Sequence, residues 1–274
     1  MVDGKQVAAA TREKETRLKE MLAKYGAMAL AYSGGVDSTY LACVAHEVLG
    51  PRLLLVLADS PNVPRWELEE AKALAEARGW RLRVIALDPF ADAAFLKNDD
   101  ARCYHCKQKL FDRMKACAVE EDITVFAHGE NVDDLADGTR VGSKAAVECG
   151  AVAPLQEVGL TKTEIRALSA VHRLPTHDKP SMACLATRVP TGTPLSKPAL
   201  AQVEQAEDAL RALGFRQCRA RHHGMLCRIE LERGEMGKLL ADNLRQNVVE
   251  ALREAGFEYV TLDLVGYGEP RQTP

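Results

Sequence analysis

One short segment has the residues and the spacing of a phosphate-binding loop. The run SGGVDS, residues 33–38, contains two adjacent glycines followed by a helix pattern. Glycines let backbone N–H groups approach a phosphate, and the N-terminus of a helix adds partial positive charge. Because the run lacks lysine, it differs from the G-x-x-x-x-G-K-S/T loop. Asp37 is expected either to hold Mg²⁺ or to set the loop conformation. We predict a nucleotide site formed by Ser33, Gly34, Gly35, Asp37 and Ser38.

A second polar segment is predicted to lie beside this loop. The run HGENVDD, residues 128–134, follows another apolar run. Its Asn131, Asp133 and Asp134 side chains have oxygens that can coordinate hydrated Mg²⁺ or cap the next helix. The group as a whole favours a nucleotide site, and we assign Asn131 and Asp134 to it.

The cysteines require an explanation in a chain with no sign of secretion. There are eight of them, and most have the small apolar neighbours of packed residues. Cys103 and Cys106 form a lone C-x-x-C, which is compatible with redox chemistry, half of a zinc site, or part of an iron–sulfur site. Cys184 lies between Lys179 and Arg188, whose charges favour a thiolate. The alternative for Cys184 is a packed structural cysteine.

The elements that must position these residues alternate over the first half of the chain. Strands are predicted at four apolar runs, 27–32, 53–58, 81–87 and 123–127. Helices are predicted between and after them, at 38–49, 64–79 and 105–121. Strands that alternate with helices indicate an α/β fold with a doubly wound parallel sheet, which binds ligands at the carboxyl ends of its strands. Both polar loops follow strands and are therefore expected at that edge.

The second half of the chain has a different pattern. Five of the twelve prolines fall between Pro175 and Pro198, so residues 161–198 are predicted to form an irregular loop or a crossing between domains. The remaining elements are predicted as helix 199–213, strands 216–222 and 225–231, helix 235–255 and strand 259–264. This order indicates a small α+β unit with an antiparallel hairpin around residues 223–224.

Composition and charge exclude several classes of protein. Lysine and arginine total 36, aspartate and glutamate total 39, the net charge is −3, and 47% of residues are hydrophobic. These values are typical of a folded protein and argue against a disordered chain or a general nucleic-acid coat protein. No apolar run approaches the roughly 20 residues of a membrane span. Residues 1–24 are charge-rich and do not resemble a signal peptide, so we expect a cytoplasmic protein with no membrane or nucleic-acid partner.

Taken together, the motifs resemble those of the LarE family of PP-loop sulfur transferases. The runs SGGVDS, RCYHCK, GENVDDLADGTR, APLQEVGLTKTEIRALS and LPTHDKPSMACLATRVPTGT carry the resemblance, which covers roughly residues 15–265. It implies a PP-loop ATPase fold related to the adenine nucleotide alpha hydrolases. We expect a PP-loop domain over 1–185 and a C-terminal α+β domain for substrate binding or oligomerisation over 186–274.

The resemblance also implies an activity. Members of this family use ATP and Mg²⁺ to adenylate the carboxylates of pyridinium-3,5-biscarboxylic acid mononucleotide, and they convert them to thiocarboxylates for a nickel-pincer cofactor. In members that sacrifice a cysteine, the residue matching Cys184 attacks the acyl adenylate and ends as dehydroalanine. Cys103, Cys106 and Cys184 together resemble the members that hold a 4Fe-4S cluster on three cysteines, with hydrosulfide or another sulfur donor as a partner. The resemblance favours this second type.

Further site residues follow from the resemblance. Arg219 and Arg221 match a segment that binds the substrate phosphate, and Arg188 is assigned with them to ligand binding. Glu207 and Glu230 match acidic residues that are expected to hold a metal. The family also implies a homo-oligomer, a trimer or a hexamer built from trimers.

Two other functions agree with the same motifs. One is another PP-loop adenylating enzyme, which thiolates tRNA or amidates a small carboxylate; this chain has no glutaminase domain to supply ammonia. The other is a nucleotide sensor or scaffold that binds ATP without releasing pyrophosphate.

Overall fold

The computed structural model describes residues 7–136, 141–181 and 183–268, with the main chain alone at 135, 136, 141, 240 and 242. Residues 137–140 of the GENVDDLADGTR run and Met182 of the cysteine segment therefore lie outside the described residues. The chain divides into two compact units. The first comprises the described residues of Met1–Pro89 and Asp100–Met182, and the second those of Phe90–Asp99 and Ala183–Pro274.

The first unit is built on a parallel sheet. Its strands are β1 (Met28–Ala31), β2 (Leu53–Asp59), β3 (Leu82–Ala86) and β4 (Phe126–Ala127), in the spatial order β3-β2-β1-β4. All three pairings are parallel. The apolar side chains of β1 and β2 are almost completely buried, as expected where helices cover a parallel sheet. The predicted α/β fold with a parallel sheet is confirmed, although the last strand is shorter than the predicted 123–127.

Helices connect and surround these strands. In the first unit they are α1 (Ala9–Tyr25), α2 (Val36–Leu49), α3 (Arg65–Ala77), α5 (Arg102–Val119), α6 (Val132–Ala136), α7 (Val141–Glu148), α8 (Pro154–Glu157) and α9 (Lys162–Val171), while α4 (Ala93–Leu96) belongs to the second unit. The irregular structure predicted for 161–198 is wrong at α9. There Thr161 and Glu164 form a capping box, and the T-x-x-E signal for it is present in the sequence.

The second unit has its own core and a three-stranded sheet. The strands are β5 (Cys218–His223), β6 (Leu226–Leu231) and β7 (Tyr259–Leu262), in the order β5-β6-β7. The pair β5–β6 is antiparallel, which confirms the predicted hairpin, and β6–β7 is parallel. The larger helices are α10 (Lys197–Ala212) and α12 (Asp242–Glu254). The helix predicted over 235–255 is interrupted, because α11 (Arg233–Met236) and a 3₁₀ turn over 237–240 precede α12.

Over the part of the chain that the structure describes, every helix is too short or too polar to cross a bilayer.

Candidate active site

The SGGVDS run forms a tight turn between β1 and the start of α2. Gly34 has a φ of +70°, and a Cβ built there would lie 2.6 Å from the Cβ of Ala71. Only glycine accepts both the left-handed backbone and this close approach. The hydroxyls of Ser33 and Ser38 lie 3.0 Å apart, and the Ser38 hydroxyl donates to the Gly35 carbonyl. The loop is thus held by its own side chains, with the N-terminus of α2 directly after it.

Asp37 is engaged by two residues from other parts of the first unit. Lys162 forms an ion pair with its carboxylate, and Asn131 donates an amide hydrogen bond to the other oxygen at 3.3 Å. Lys162 is the first residue of α9, directly after its capping residue. The sequence did not single out Lys162, because 125 residues separate it from Asp37. Lys162 therefore neutralises the one acid of the loop.

The HGENVDD run packs directly against the phosphate loop. A Cβ on Gly129 would lie 2.9 Å from the backbone nitrogen of Ser38, so the two loops touch through main chain. Asn131 accepts from the Asp133 N–H at 2.9 Å, and Asp134 accepts from the Asn131 N–H at 3.0 Å. These contacts match the helix-capping alternative for Asn131 and Asp134. Assignment of the two residues to nucleotide binding stays a prediction.

Three titratable side chains interact at the HGENVDD run, two from the run itself and one from α5. Lys107 donates to Glu130 at 2.7 Å, and His128 lies 3.8 Å from the other carboxylate oxygen. Burial would raise the pKa of Glu130, but the Lys107 hydrogen bond and charge outweigh it and lower that pKa. Burial lowers the pKa of His128. At neutral pH the network is therefore a neutral histidine beside a lysine–glutamate pair, which ties α5 to the HGENVDD loop.

Lys179 is a second cation at the phosphate loop that sequence reasoning did not assign to it. Its amine donates to the Gly34 carbonyl at 3.4 Å and to Glu70 at 3.0 Å, and it lies 5.3 Å from the ring centroid of Trp66. Lys162 and Lys179 thus both contact the phosphate loop, and two such cations suit a polyphosphate ligand. Lys179 belongs to the DKPS segment, and from the sequence its charge was considered only for its effect on the Cys184 thiol.

Cys103 and Cys106 lie about one turn apart at the start of α5. Each sulfur accepts a hydrogen bond from a nitrogen, Cys106 from the Asn62 amide at 3.9 Å and Cys103 from Arg102 at 3.8 Å. Iron–sulfur clusters are held by cysteine sulfurs, and the C-x-x-C spacing of this pair fits two such ligands. Cys184 belongs to the second unit. Within the residues described, three or more His, Cys, Asp or Glu side chains are nowhere grouped to hold a metal ion, and the cluster stays a prediction.

In the second unit, Cys184 immediately precedes a 3₁₀ turn, Leu185–Arg188, and its side chain is partly exposed. The Cys184 carbonyl accepts from the Thr187 N–H at 3.0 Å and from the Thr187 hydroxyl at 2.9 Å. Arg188 is completely buried and pairs with Glu207 through two hydrogen bonds of 2.7 and 2.9 Å. The thiol therefore sits on a turn with a fixed main chain.

The other two predicted arginines occupy different environments. Arg219 is buried, donates to the Tyr267 hydroxyl at 3.2 Å and lies 4.7 Å from the centroid of that ring. Burial, followed by the nearby charge of Arg188, lowers the pKa of Arg219. Arg221 pairs with Glu230 at 2.7 Å and lines a cavity of about 580 Å³. Arg219 is not among the described residues that line it.

That cavity lies entirely within the second unit. Its wall includes Thr187 and Thr191, three arginines, a histidine, Tyr267 and the acidic residue Glu230. Guanidinium and hydroxyl groups bind phosphate, and aromatic side chains stack on a planar ring. A small nucleotide-like anion is the ligand class that this wall suits.

Known proteins share this sequence over most of its length. Residues 10–187 match the NAD synthase family model. The chain is 34% identical over 259 residues to the pyridinium-3,5-bisthiocarboxylic acid mononucleotide synthase of Lactiplantibacillus plantarum, a match that covers 94% of this chain and 93% of that protein. It is 37% identical over 254 residues to an uncharacterized protein of Synechocystis, covering 93% and 94%. It is also 31% identical over 160 residues to the argininosuccinate synthase of Haloquadratum walsbyi, covering 54% and 40%.

Proposed function

The chain belongs to the NAD synthase family of PP-loop, ATP-using enzymes, and from this premise we propose that it is an ATP-dependent sulfur transferase. Its substrate would be pyridinium-3,5-biscarboxylic acid mononucleotide, and its product the corresponding thiocarboxylate. The geometry that carries the proposal is the glycine-containing phosphate loop at the start of α2, flanked by two lysines. The similarity to the synthase of Lactiplantibacillus plantarum supports the choice of substrate.

The first unit would carry out adenylation. A carboxylate oxygen of the substrate attacks the α-phosphorus of ATP, the bond to pyrophosphate breaks, and an acyl adenylate forms. Backbone N–H groups of the loop and the start of α2 face the phosphates, and Lys162 and Lys179 offset their negative charge. Asp37 and Asn131 are the residues that would hold Mg²⁺, which supplies charge neutralisation when bound. Lys162 would then exchange Asp37 for a phosphate oxygen.

The second unit would supply a thiol. In the route that consumes the protein, the Cys184 thiolate attacks the acyl carbon and AMP leaves, which forms a thioester. Loss of the Cα proton and cleavage of the Cβ–Sγ bond then give a thiocarboxylate and dehydroalanine. In the route that does not consume it, Cys103, Cys106 and Cys184 would hold a 4Fe-4S cluster, which supplies an open iron position for external sulfide.

The cavity of the second unit would bind the mononucleotide. His223, Arg228 and Tyr267 line it, and the positive charge of the Arg228 guanidinium would attract the substrate phosphate. In this arrangement the two units have separate roles, because the first activates the carboxylate and the second holds the substrate phosphate and the thiol.

ATP–pyrophosphate exchange measured with and without the biscarboxylic mononucleotide tests the proposal directly. We expect exchange that depends on the mononucleotide, and a mass increase of the product that corresponds to replacement of oxygen by sulfur. Exchange stimulated by tRNA instead would favour a tRNA-thiolating enzyme. Binding of ATP without release of pyrophosphate would favour a nucleotide sensor.

Other properties belong to the same proposal. A reaction that uses free thiols suits a reducing compartment such as the cytoplasm, and all eight cysteines are free.

We also propose a homo-oligomer, a trimer or a hexamer. The second unit exposes Met225, Tyr259 and Leu264, whose burial between copies would support association, and sedimentation equilibrium measures the oligomeric state.

A further inference from the structure

Glu207 and Glu230 do not have the environment of metal ligands. Glu207 is fully buried, and its oxygens accept from Arg188 Nε at 2.7 Å, from Arg188 Nη2 at 2.9 Å and from the Ala220 N–H at 3.1 Å. Glu230 accepts from Arg221 Nε at 2.9 Å and Nη2 at 2.7 Å, and its other oxygen lies 3.2 Å from Arg228. A metal ion would have to displace guanidinium groups from every one of these oxygens.

Two of these arginines, Arg188 and Arg221, also hold the main chain of the turn at Cys184. The nitrogen of Arg188 that does not face Glu207 donates to the carbonyls of Ala183 at 2.6 Å and Cys184 at 3.1 Å. The corresponding nitrogen of Arg221 donates to the Thr187 carbonyl at 2.7 Å. Each guanidinium therefore joins a buried carboxylate on one side to the main chain of the turn on the other.

We propose that Arg188–Glu207 and Arg221–Glu230 are positioning pairs, which fix the main chain of the turn so that the Cys184 thiol is presented in one orientation. The inference rests on the proposed function only for the role of Cys184 as the reacting thiol. It replaces the metal-ligand role that the resemblance implied for both glutamates.

The physical reason lies in how a guanidinium group is held. Arg188 gives one hydrogen bond to each oxygen of Glu207, whereas both hydrogen bonds of Arg221 go to one oxygen of Glu230. In either case, two hydrogen bonds to one carboxylate restrict the position and the plane of the guanidinium group. Its remaining N–H groups then point in a set direction, and here they meet carbonyls of the turn. In the buried interior an arginine without its carboxylate carries an uncompensated charge. It is expected to move toward water, and the turn then loses its anchors.

The test measures the reactivity of single thiols in the intact protein. Glu207→Gln, Glu230→Gln and Arg221→Lys are treated with iodoacetamide at one pH, and the labelling rate of each cysteine is followed by peptide mass spectrometry. We expect Cys184 to label at least about tenfold faster in the variants, because local opening of the turn becomes easier. Arg221→Lys keeps the charge and loses only the fork, so it remains informative where Glu207→Gln fails to fold.

Two buried thiols of the same unit provide the internal control. Cys218 and Cys227 are buried, and burial raises the pKa of each to about 12. They should stay protected in the variants while Cys184 becomes reactive. If all three thiols label faster together, the pairs stabilise the whole unit and the positioning role is wrong.

A metal titration tests the alternative in the same samples. Mn²⁺ binding to wild type and to folded Glu230→Gln is followed by electron paramagnetic resonance, and we expect the two proteins to bind equally. Loss of bound Mn²⁺ in the variant, with an unaltered Cys184 labelling rate, would overturn the proposal. Neither measurement uses the mononucleotide, so failure of the proposed sulfur transfer would leave both results interpretable.

Discussion

Replacement of Gly34 by alanine tests whether the phosphate loop depends on both the backbone conformation and the close approach of this residue. At φ +70°, a side chain costs about 1–2 kcal/mol of folding free energy. The new Cβ would also lie 2.6 Å from the Ala71 Cβ, and overpacking of this kind costs about 1–3 kcal/mol. The free energy of unfolding should therefore fall by about 2–5 kcal/mol, and the affinity for ATP should fall with it because the loop must shift.

Two further variants separate these contributions in urea unfolding. Gly79, just after the C-terminal end of α3, has φ +65° with no atom within 4 Å of a built Cβ, so Gly79→Ala should lose only the conformational part, about 1–2 kcal/mol. Ala71→Gly alone should cost about 1 kcal/mol within α3. In the double variant Gly34→Ala, Ala71→Gly, the 2.6 Å contact is removed and only the 3.2 Å approach to the Cα of residue 71 remains, so the losses should be smaller than their sum. Equal losses for Gly34→Ala and Gly79→Ala would refute the close approach to Ala71.

Three other predictions concern charge, sulfur and pH. Lys162→Met removes a cation beside the phosphate loop and should raise the ATP requirement of pyrophosphate exchange about tenfold; an unaltered requirement would contradict its role. Cys184→Ala should abolish formation of thiolated product, measured by mass spectrometry, and normal product would exclude Cys184 as the reacting thiol. Hydrogen bonds with Cys43 and then Glu15 raise the pKa of His172 to about 10 from 6.5. The stability that it contributes is complete below pH 6.5 and is lost as the pH rises toward 10, about 1–2 kcal/mol after solvent screening. His172→Gln should flatten this part of a urea-midpoint profile, and an unaltered slope would contradict the assignment.

Local signals account for the parts of the molecule that the sequence predicts well. Neighbouring residues alone determine the patterns that predict β1, β2 and α2. The same is true of the β5–β6 hairpin. The phosphate loop could be located because its glycines, hydroxyls and following helix lie within one short run. The α9 helix was missed although its capping box was present, because the nearby prolines indicated irregular structure.

Pairings between distant residues could not be predicted in this way. Glu207 lies in α10, 19 residues after Arg188, and nothing in its neighbourhood shows that Arg188 is its partner. A buried acid near several arginines is equally compatible with a metal site and with an ion pair. Only the positions of the individual oxygens distinguish the two, and they are set by how α10 packs on β5. The predicted roles of the nucleotide-binding residues stay predictions for the same reason.

The environment of Asp37 explains how an acidic residue can belong to an anion-binding loop. Its carboxylate alone would repel the phosphates of ATP, since both are negatively charged. Lys162 and Asn131 bind the two carboxylate oxygens, so the loop is held near neutrality before ligand arrives. In the proposed adenylation, the Asp37 carboxylate would help to hold Mg²⁺ and Lys162 would turn to the phosphates, which would keep the local charge balanced. The fold thus pairs the acid with this lysine, although 125 residues separate them in the chain, and the pair is what allows the proposed role of Asp37 in an anion-binding loop.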